Sequence, residues 1–370
     1  MRIALVTIHN STNYGAVLQA YATQRVLSKY GSVVVIDYDN RFLARQMRLI
    51  RFDASFHGLL KLAHDILRIP SRVRLLRKFY AFFKSKLLLS SKLRGVSLYN
   101  GDAGFFDVYV CGSDQIWNPL VISESGEIDE IYFLDFAPEG SKKISYASSI
   151  GHHKFLKSEE TKKISTLLHD FTAISLRESD GVEMIANILP RKDVRHVLDP
   201  TLLLDAREWL DLMKCDYKVP SGKYILVYTV PRSSLMVSAI NYYRENLGLK
   251  VVGIDPMLRP IADFDLHLKD VGPEEFVNLF SGAEFIITDS FHGACFSINF
   301  GKPFVLVSPG VRSNRMASLF NVLHLNHRLV TTESDFPKIN FSNDDLNLAN
   351  LKLMESRNDS LAFLDSSLVK

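Results

Sequence analysis

The sequence predicts an α/β protein made of two Rossmann-like domains that face each other across a cleft. Three observations predict this class. Short apolar runs alternate with helical patterns along most of the chain. The alternation pauses near Asp199–Pro200 and resumes at Lys223. The length of 370 residues fits about two domains at roughly 150 residues each.

The first half contains five predicted strands and two predicted helices. The residue before a proline is disfavoured in a helix, so Asp199 marks the exit from this first domain, which we assign to residues 1–205. The predicted strands are Arg2–Thr7, Val33–Asp37, Asp107–Cys111, Lys143–Ala147 and Ala173–Leu176, and the predicted helices are Ala16–Lys29 and Ser179–Ile188.

The second half repeats the pattern in a more compact form. Strands are predicted at YILVYTV, KVVGI, EFIITD and PFVLV, and helices near Leu235–Asn246, at Pro273–Ser281 and from Phe291. We assign this domain to residues 206–331. Residues 332–370 are polar with a Leu-rich stretch, and they are expected to form a packing tail rather than a site.

A basic insertion interrupts the first domain at about residues 41–95. This segment has a net charge of +12, which leaves −9 on the rest of a chain whose total is +3. Its apolar residues, among them Leu76, Phe79 and Phe83, recur at helical spacing and predict a basic amphipathic helix. Two interpretations remain open, a solvated surface face and contact with an anionic membrane. Nucleic acid is disfavoured because no recognition motif accompanies the charge.

Composition excludes several protein classes. With 47% hydrophobic and 23% charged residues the chain is neither disordered nor collagen-like. Three widely spaced cysteines indicate neither a disulfide framework nor a thiolate zinc site, and no other metal-site spacing is found. The N-terminus reads as a strand rather than a leader, and no apolar window reaches the roughly 18 residues of a membrane span, so we expect a cytoplasmic protein.

The functional signal lies where predicted strands end, because ligands of parallel α/β sheets bind beyond the carboxyl ends of the strands. The first such segment contains Asn13, Tyr14 and Gly15 at the start of a helix, where backbone N–H groups favour an anion. An ordinary N-cap by Ser11, Thr12 or Asn13 is the alternative.

The second segment follows the strand that ends at Cys111. It is dense in polar groups for a simple turn, and its ligand candidates are Gly112, Ser113, Asp114, Gln115 and Asn118. Trp117 in the same loop is equally consistent with packing beneath the cleft.

The third segment places Arg177 at a strand end. An arginine there can hold a phosphate or carboxylate through two parallel hydrogen bonds. A salt bridge to Glu178 or Asp180 is the alternative.

The fourth segment contains Asp289, Ser290, His292 and Gly293 between a strand and a helix. A histidine at this position suits a general acid near neutral pH, and Asp289 is expected to orient its imidazole.

Taken together, these segments resemble the polysaccharide pyruvyl transferase family. The resemblance is carried by NYGAVLQAYA, GSDQIWNP, an LRE strand end, LDPTLLL, and TDSFHG followed by GKP, in that order from about residue 1 to 325. It implies a GT-B-like architecture and transfer of an enolpyruvyl-derived unit from phosphoenolpyruvate to a sugar, forming a cyclic ketal. It also implies that His292 is the acid and Arg177 a ligand of the donor anion.

The chain departs from the family pattern at one position. Members often have an arginine two residues before the histidine, whereas this chain has Ser290, and Arg312 and Arg315 are expected to compensate. We expect no cofactor beyond phosphoenolpyruvate as donor, and no metal. The expected acceptor is a glycan precursor linked to lipid, which would bring the protein to the inner face of the cytoplasmic membrane.

Two rival functions remain at this stage. A GT-B-like glycosyltransferase would use a nucleotide sugar and would carry an acidic residue for the ribose in the second domain. A non-catalytic glycan-binding protein would need no His292. A dehydrogenase is disfavoured because the opening turn lacks GxGxxG.

Overall fold

Two parallel six-stranded sheets with covering helices form the computed structural model, which describes residues 1–49, 56–190, 193–212, 220–308, 310, 314–339, 341 and 343–369. The first sheet has the order β2-β1-β3-β4-β5-β6. Its strands are β1 (Arg2–Val6), β2 (Ser32–Val35), β3 (Val108–Cys111), β4 (Lys142–Ser148), β5 (Phe171–Leu176) and β6 (Val194–His196).

The second sheet has the order β12-β11-β10-β7-β8-β9. Its strands are β7 (Tyr224–Tyr228), β8 (Lys250–Ile254), β9 (Leu266–Leu268), β10 (Phe285–Thr288), β11 (Phe304–Val307) and β12 (Leu329–Val330). All neighbouring strands in both sheets are parallel, and the central ones are buried, as parallel strands covered on both faces must be. The predicted α/β class with two Rossmann-like units is confirmed.

The connections between parallel strands are largely helical. The helices are α1 (Tyr14–Leu27), α2 (Phe56–Lys86), α3 (Gly95–Tyr99), α4 (Pro119–Ile122), α5 (Ser158–Leu168), α6 (Ser179–Ile188), α7 (Ala206–Leu212), α8 (Ser234–Leu247), α9 (Pro273–Gly282), α10 (Phe291–Asn299), α11 (Asn314–Leu323) and α12 (Asn343–Leu368).

Three short strands were not predicted from the sequence. The strands β6, β9 and β12 contain three, three and two residues, and all three lie at sheet edges. Edge strands are half exposed and carry no long apolar run, so they leave little trace in hydrophobic patterning. The expected domain boundary at residues 205 and 206 falls between the last strand of the first sheet and the first strand of the second.

Helix α1 belongs to the first sheet but packs against α9 and α10 of the second. Tyr14 lies in this contact, stacked on Phe276 with ring centroids 4.5 Å apart, and its hydroxyl donates to the Val271 carbonyl at 2.8 Å. Burial of large aromatic rings stabilises a packed contact by a few kcal/mol. The two sheets therefore meet through a packed aromatic contact beside the cleft.

The basic insertion forms helix α2, as predicted, over Phe56–Lys86. Its buried face includes Phe79 and Phe83, and three of its cations pair with acidic residues at and just before α9. The pairs are Arg74 with Asp270, Lys78 with Glu275 at 2.7 Å, and Lys86 with Glu274 at 3.0 Å. Part of the basic charge thus serves the contact between the two halves. None of the helices in the described ranges combines the length and apolar character that a membrane crossing requires.

The chain ends in helix α12, the expected packing tail. It returns to the first half of the protein, where the Leu198 amide donates to Ser360 Oγ at 3.0 Å and Tyr30 donates to Asp365 at 2.6 Å. It also packs against α11 of the second half. One helix therefore bridges both sheets.

Candidate functional site

A cavity of about 380 Å³ lies between the carboxyl ends of the two sheets. From the first half it is lined by Ile8, Ser11, Asn13, Ala16, Leu43, Gln46, Asp114, Gln115, Leu120, Val121, Gly151 and His152, and from the second by Val230, Pro231, Asp289, Ser290, Phe291, His292, Arg315 and Met316. The four strand-end segments singled out in the sequence converge at or directly beneath this cavity.

His292 is the second residue of α10 and reaches from the second half toward the first. The side chain is 6% exposed, and its Nε2 lies 3.6 Å from Oδ2 of Asp199. That nitrogen is shielded from solvent and has no partner at hydrogen-bond distance. The imidazole is therefore beside a buried carboxylate without being tied to it, as a group that takes up and releases a proton requires.

Asp199 lies in the turn after β6 and is fully buried. Its Oδ1 accepts from the Thr201 amide at 2.9 Å and the Thr201 hydroxyl at 2.6 Å, and its Oδ2 accepts from Arg177 Nη1 at 2.5 Å and Ser113 Oγ at 3.4 Å. Burial alone would raise the pKa of this carboxyl, but the Arg177 guanidinium holds the pKa well below its usual range. Asp199 is therefore a fixed negative charge next to His292.

Arg177 is buried at the end of β5. Besides Asp199, it pairs with Asp114 Oδ1 through Nη2 at 3.2 Å, and its Cζ lies 4.6 Å from the ring centre of Phe291. The alternative of a salt bridge to Glu178 or Asp180 is wrong, because Asp199 and Asp114 take the terminal nitrogens. The Nε atom remains buried without a hydrogen-bond partner. Arg177 thus fixes two carboxylates of the site.

Arg315 is the cation that the described residues leave unpaired at the cavity. It lines the wall from α11, half-buried, with its Cζ 5.5 Å from the ring centre of Phe291. Burial and the nearby charge of Arg177 lower the pKa of Arg315 to about 10, so it stays cationic at neutral pH. Arg312, the other expected compensating arginine, lies outside the described residues.

Gly15 makes room for the imidazole. A Cβ at this position would lie 2.0 Å from His292 Nδ1, far inside van der Waals contact. Gly15 has a helical backbone in α1, so what it contributes to the site is the absence of a side chain. The sequence predicts Gly15 as part of an anion-binding helix start, whereas in the structure its missing side chain makes room for His292.

Asp289 does not orient His292, contrary to expectation. Its Oδ2 accepts from the Thr229 hydroxyl at 2.6 Å and its Oδ1 from the Val230 amide at 2.7 Å, so it fixes the loop after β7. Burial raises its pKa, opposed by the hydrogen bond from Thr229. Asp289, which is close to His292 in the sequence, therefore fixes a loop. Asp199, which is distant in the sequence, is the carboxylate that lies beside the imidazole.

The loop after β3 divides into ligand-facing and structural residues. Asp114 and Gln115 line the cavity, whereas Ser113 donates to the Ala147 carbonyl at 3.0 Å and to Asp199. Asn118 is buried as the N-cap of α4, accepting from the Leu120 amide at 3.2 Å. A Cβ on Gly112 would lie 2.0 Å from the Tyr146 carbonyl oxygen. The packing interpretation of Trp117 is confirmed by its stack on Phe133, centroids 5.1 Å apart.

Four predicted ligands at the two helix starts have structural partners. Asn13 caps α1, its Oδ1 accepting from the Gly15 amide at 2.9 Å, and Ser290 caps α10, its Oγ accepting from the Gly293 amide at 3.4 Å. Both caps still line the cavity. Tyr14 is buried in the contact between the sheets, and a Cβ on Gly293 would lie 2.2 Å from Thr288 Oγ1, so the contacts of these two residues in the structure are packing contacts.

Asp199 and Glu178 belong to the site but are not predicted as site residues from the sequence. The aspartate of the LDPT run is predicted only as the exit from the first domain. Glu178 is buried, accepts from the Ile150 amide at 2.6 Å through Oε1, and leaves Oε2 without a partner. Burial raises its pKa, opposed by Arg177 and Arg315. Within the described part of the chain no three His, Cys, Asp or Glu side chains are grouped to hold a metal ion.

Comparison with known proteins identifies the family. The sequence model of the polysaccharide pyruvyl transferase family matches residues 13–310, which is most of the chain. A search among curated proteins matches none of them to this chain.

Among solved structures, the chain is similar to the UDP-GlcNAc 2-epimerase from Neisseria meningitidis bound to UDP-GlcNAc, with a TM-score of 0.53 and 11% identity over 100% of both chains. It is also similar to a UDP-N-acetylglucosamine 2-epimerase from Listeria monocytogenes (TM-score 0.48, 10% identity, 98% of this chain and 90% of that one). The glycosyltransferase SnogD from Streptomyces nogalater gives a TM-score of 0.43 at 10% identity over 100% of this chain and 99% of the other. The first of these likenesses, together with the two parallel six-stranded sheets, confirms the predicted GT-B-like architecture.

Proposed function

Because this chain belongs to the polysaccharide pyruvyl transferase family, we propose that it transfers a pyruvyl group from phosphoenolpyruvate to a sugar of a cell-surface glycan or its lipid-linked precursor, forming a ketal. The observation that carries the proposal is the buried imidazole of His292, 3.6 Å from the ionised Asp199 and on the wall of the cleft. It supports acid catalysis at this position.

The donor is a polyanion, and the cavity offers it positive potential from several sources. Arg315 has no anionic partner among the described residues, and α1 and α10 both begin at the cavity, where the positive ends of their helix dipoles favour an anion. Arg177 was expected to bind the donor directly. Since its terminal nitrogens hold Asp199 and Asp114, we propose that Arg315 meets the donor and that Arg177 positions the carboxylates.

The reaction balances with one acid and two hydroxyl groups. His292 donates a proton to the methylene carbon of the donor, which becomes a methyl group, and the adjacent carbon becomes an oxocarbenium-like centre. A sugar hydroxyl attacks that carbon, and its proton returns to His292. The carbon–oxygen bond to phosphate breaks, and a second hydroxyl of the same sugar closes the ketal while its proton leaves with the phosphate.

The acceptor would enter from the side of the first half. That wall combines amide groups of Gln46 and Gln115 with the apolar Leu120, which is 57% exposed at the cavity rim. Amide groups bond sugar hydroxyls, and an exposed apolar rim suits an acceptor with a lipid carrier. Those cations of residues 41–95 that do not serve the contact with α9 would favour an anionic membrane surface.

The rival glycosyltransferase function is disfavoured by Asp255. This aspartate follows β8, the second strand of the second sheet's domain, where a ribose-binding acid would lie. Its carboxylate is buried, pairs with Arg232, and accepts from the Met257 amide at 3.0 Å and the Ile261 amide at 3.2 Å. The candidate ribose ligand is thus occupied by its own loop.

The test measures phosphate release from phosphoenolpyruvate by the purified protein with galactose- or mannose-type acceptors. We expect acceptor-dependent release that falls by about 100-fold or more in His292→Gln, the range typical for loss of a general acid. Arg315→Gln is expected to raise KM for phosphoenolpyruvate. His169→Gln removes an exposed imidazole beside Asp170 and serves as the matched control with unchanged activity.

Two outcomes contradict the proposal. Release that persists in His292→Gln at the wild-type rate would exclude this histidine as the acid. Absence of release with every acceptor, together with binding of a nucleotide sugar, would favour the glycosyltransferase.

A further inference from the structure

A second cavity, of about 400 Å³, lies next to the cavity between the two sheets that contains His292, which we call the catalytic cavity. Nothing described above assigns it a ligand. It is lined by Asn10, Asp39, Arg41, Ala44, Met47, Arg48, Tyr80 and Lys92. We name it the basic cavity, because three cations and a single carboxylate line it.

The basic cavity and the catalytic cavity share a wall made of two chain segments. In the loop after β1, Ser11 faces the catalytic cavity and the preceding Asn10 faces the basic cavity. In the short helical turn at Leu43–Met47, Gln46 lines the first and Met47 the second. The Ser11 hydroxyl donates to Gln46 Oε1 at 2.7 Å and joins the two segments. A ligand that fills the catalytic cavity therefore needs to extend only past this thin wall to reach the basic one.

Two of the three cations are free to meet an anion. Among the described residues, the exposed guanidinium groups of Arg41 and Arg48 form neither an ion pair nor a hydrogen bond. Lys92 pairs with Asp39 at 2.9 Å, and Arg94 adds a second cation 3.8 Å from the same carboxylate. The carboxylate is thus already occupied by cations, and the unpaired charge in the cavity belongs to the two arginines.

The segment that carries these arginines is held in place. Arg72 of α2 donates through Nη2 to the Arg48 carbonyl at 3.2 Å and also to the Gln46 carbonyl. A cation from the long helix therefore fixes the backbone of the turn, while the side chain of Arg48 stays available. Tyr80 from the same helix, 54% exposed, adds an aromatic wall and a hydroxyl to the cavity.

We propose that the basic cavity binds the phosphate group that joins the acceptor sugar to its carrier, with Arg41 and Arg48 as its ligands. This rests on the proposed function, because it concerns the acceptor of that reaction. Arginine pairs bind phosphate oxygens through parallel hydrogen bonds, and a diphosphate ester offers several such oxygens within reach of both side chains. The sugar lies in the catalytic cavity and its phosphate past the shared wall. The enzyme thereby selects a phosphorylated acceptor over the free glycan.

The first experiment measures binding of inorganic pyrophosphate by calorimetry in an Arg315→Gln background, which removes the unpaired cation of the catalytic cavity. We expect the affinity to fall by at least tenfold when Arg41→Gln and Arg48→Gln are added. The control adds Arg77→Gln and Lys84→Gln instead, two exposed cations of α2 outside the cavity, and removes the same charge. An equal loss of pyrophosphate affinity in the cavity variant and in the control variant would mean a general charge effect and would overturn the proposal.

The second experiment compares two acceptors in the otherwise unaltered protein, a sugar diphosphate with a short water-soluble aglycone and the same sugar without phosphate. Arg41→Gln with Arg48→Gln is expected to raise KM for the first by at least tenfold and to leave KM for the second unchanged. Equal KM values for both acceptors in the wild type would overturn the proposal.

Vesicles of phosphatidylglycerol separate a lipid headgroup from the acceptor phosphate. If the double variant loses vesicle binding yet binds pyrophosphate and the phosphorylated acceptor like the wild type, the arginines serve a membrane surface and the proposal is wrong. If the proposed function is wrong, no variant releases phosphate from phosphoenolpyruvate, whereas the pyrophosphate affinities are unaffected. Failure of the proposed function can therefore be told apart from failure of the phosphate site.

Discussion

The N-termini of helices α1 and α10 face each other across the cleft. They are capped in the same way but contribute differently to the site. Helix α1 begins after Asn13 and α10 after Ser290, each capped by the side chain of that residue. The start of α10 contributes a side chain, His292, to the space between them. The start of α1 contributes the absence of one, Gly15, whose Cβ would lie 2.0 Å from the imidazole.

A local geometry that two helix starts share does not by itself identify the reacting group. Both starts present N–H groups and a small cap to the cavity, and both suit an anion. The two helix starts differ in which side chain lies next to each of them. His292 has the buried Asp199 at 3.6 Å, whereas the start of α1 has the imidazole itself as its neighbour.

The largest expected effect comes from Asp199→Asn, which removes the charge behind His292. Arg177 would keep Asp114 but lose its 2.5 Å partner, and a buried charge left partly unpaired costs about 3 kcal/mol of unfolding free energy. The pKa of Asp199 is lowered by folding, so its stabilising charge is present above the unfolded pKa of about 3.9 and is lost as the pH falls. Urea unfolding should therefore show a deficit at pH 7 that shrinks in the acid range.

Asp289→Asn is the matched control, since this aspartate is also buried at a strand end. Its partners are neutral and its pKa is raised by burial, so the ionised form costs stability as the pH rises above about 3.9. The wild-type advantage over Asp289→Asn should shrink with rising pH, opposite to Asp199→Asn. The same pH trend in both variants would contradict the assignment of Asp199 as the charged partner.

Gly15→Ala tests the contribution of the opposite helix start. Alanine normally favours a helix by about 1 kcal/mol over glycine, but here the methyl group would displace His292. Misplacement of a catalytic group by about 1 Å can reduce the rate by roughly 100-fold, and we expect a loss of that order in kcat.

Gly95→Ala is the matched control for this prediction, because a Cβ at Gly95 has nothing within 4 Å. It should leave activity unchanged. Wild-type kcat in Gly15→Ala would show that the imidazole is not confined by α1.

The smallest effects are expected from the caps themselves. Asn13 accepts from the amides of Gly15 at 2.9 Å and Ala16 at 3.4 Å, whereas Ser290 accepts only from the Gly293 amide, at 3.4 Å. Asn13→Ala should cost about 1 kcal/mol of unfolding free energy, and Ser290→Ala less. Thermal or urea unfolding measures both, and a larger cost at Ser290 would reverse the ranking drawn from the geometry.

Much of the fold was predictable because its signal is local. Helix α6 was predicted at its observed bounds, and the central strands were found within a few residues, since buried parallel strands read as continuous apolar runs. Short edge strands such as β9 carry no such run and were missed. In the basic insertion, helical spacing predicted α2, but the partners of its cations on and before α9 lie about 190 residues away in the chain.

The sequence by itself determined that four strand-end segments meet at the site, because parallel strands end at one edge of a sheet. Tertiary structure alone decided the roles within it. It placed Asp199 rather than the neighbouring Asp289 at His292, turned Tyr14 into a packing residue, and made Gly15 a space for the imidazole. The physical reason is that a pairing of charges depends on distances of a few Å across the two sheets, which residue order along the chain does not encode.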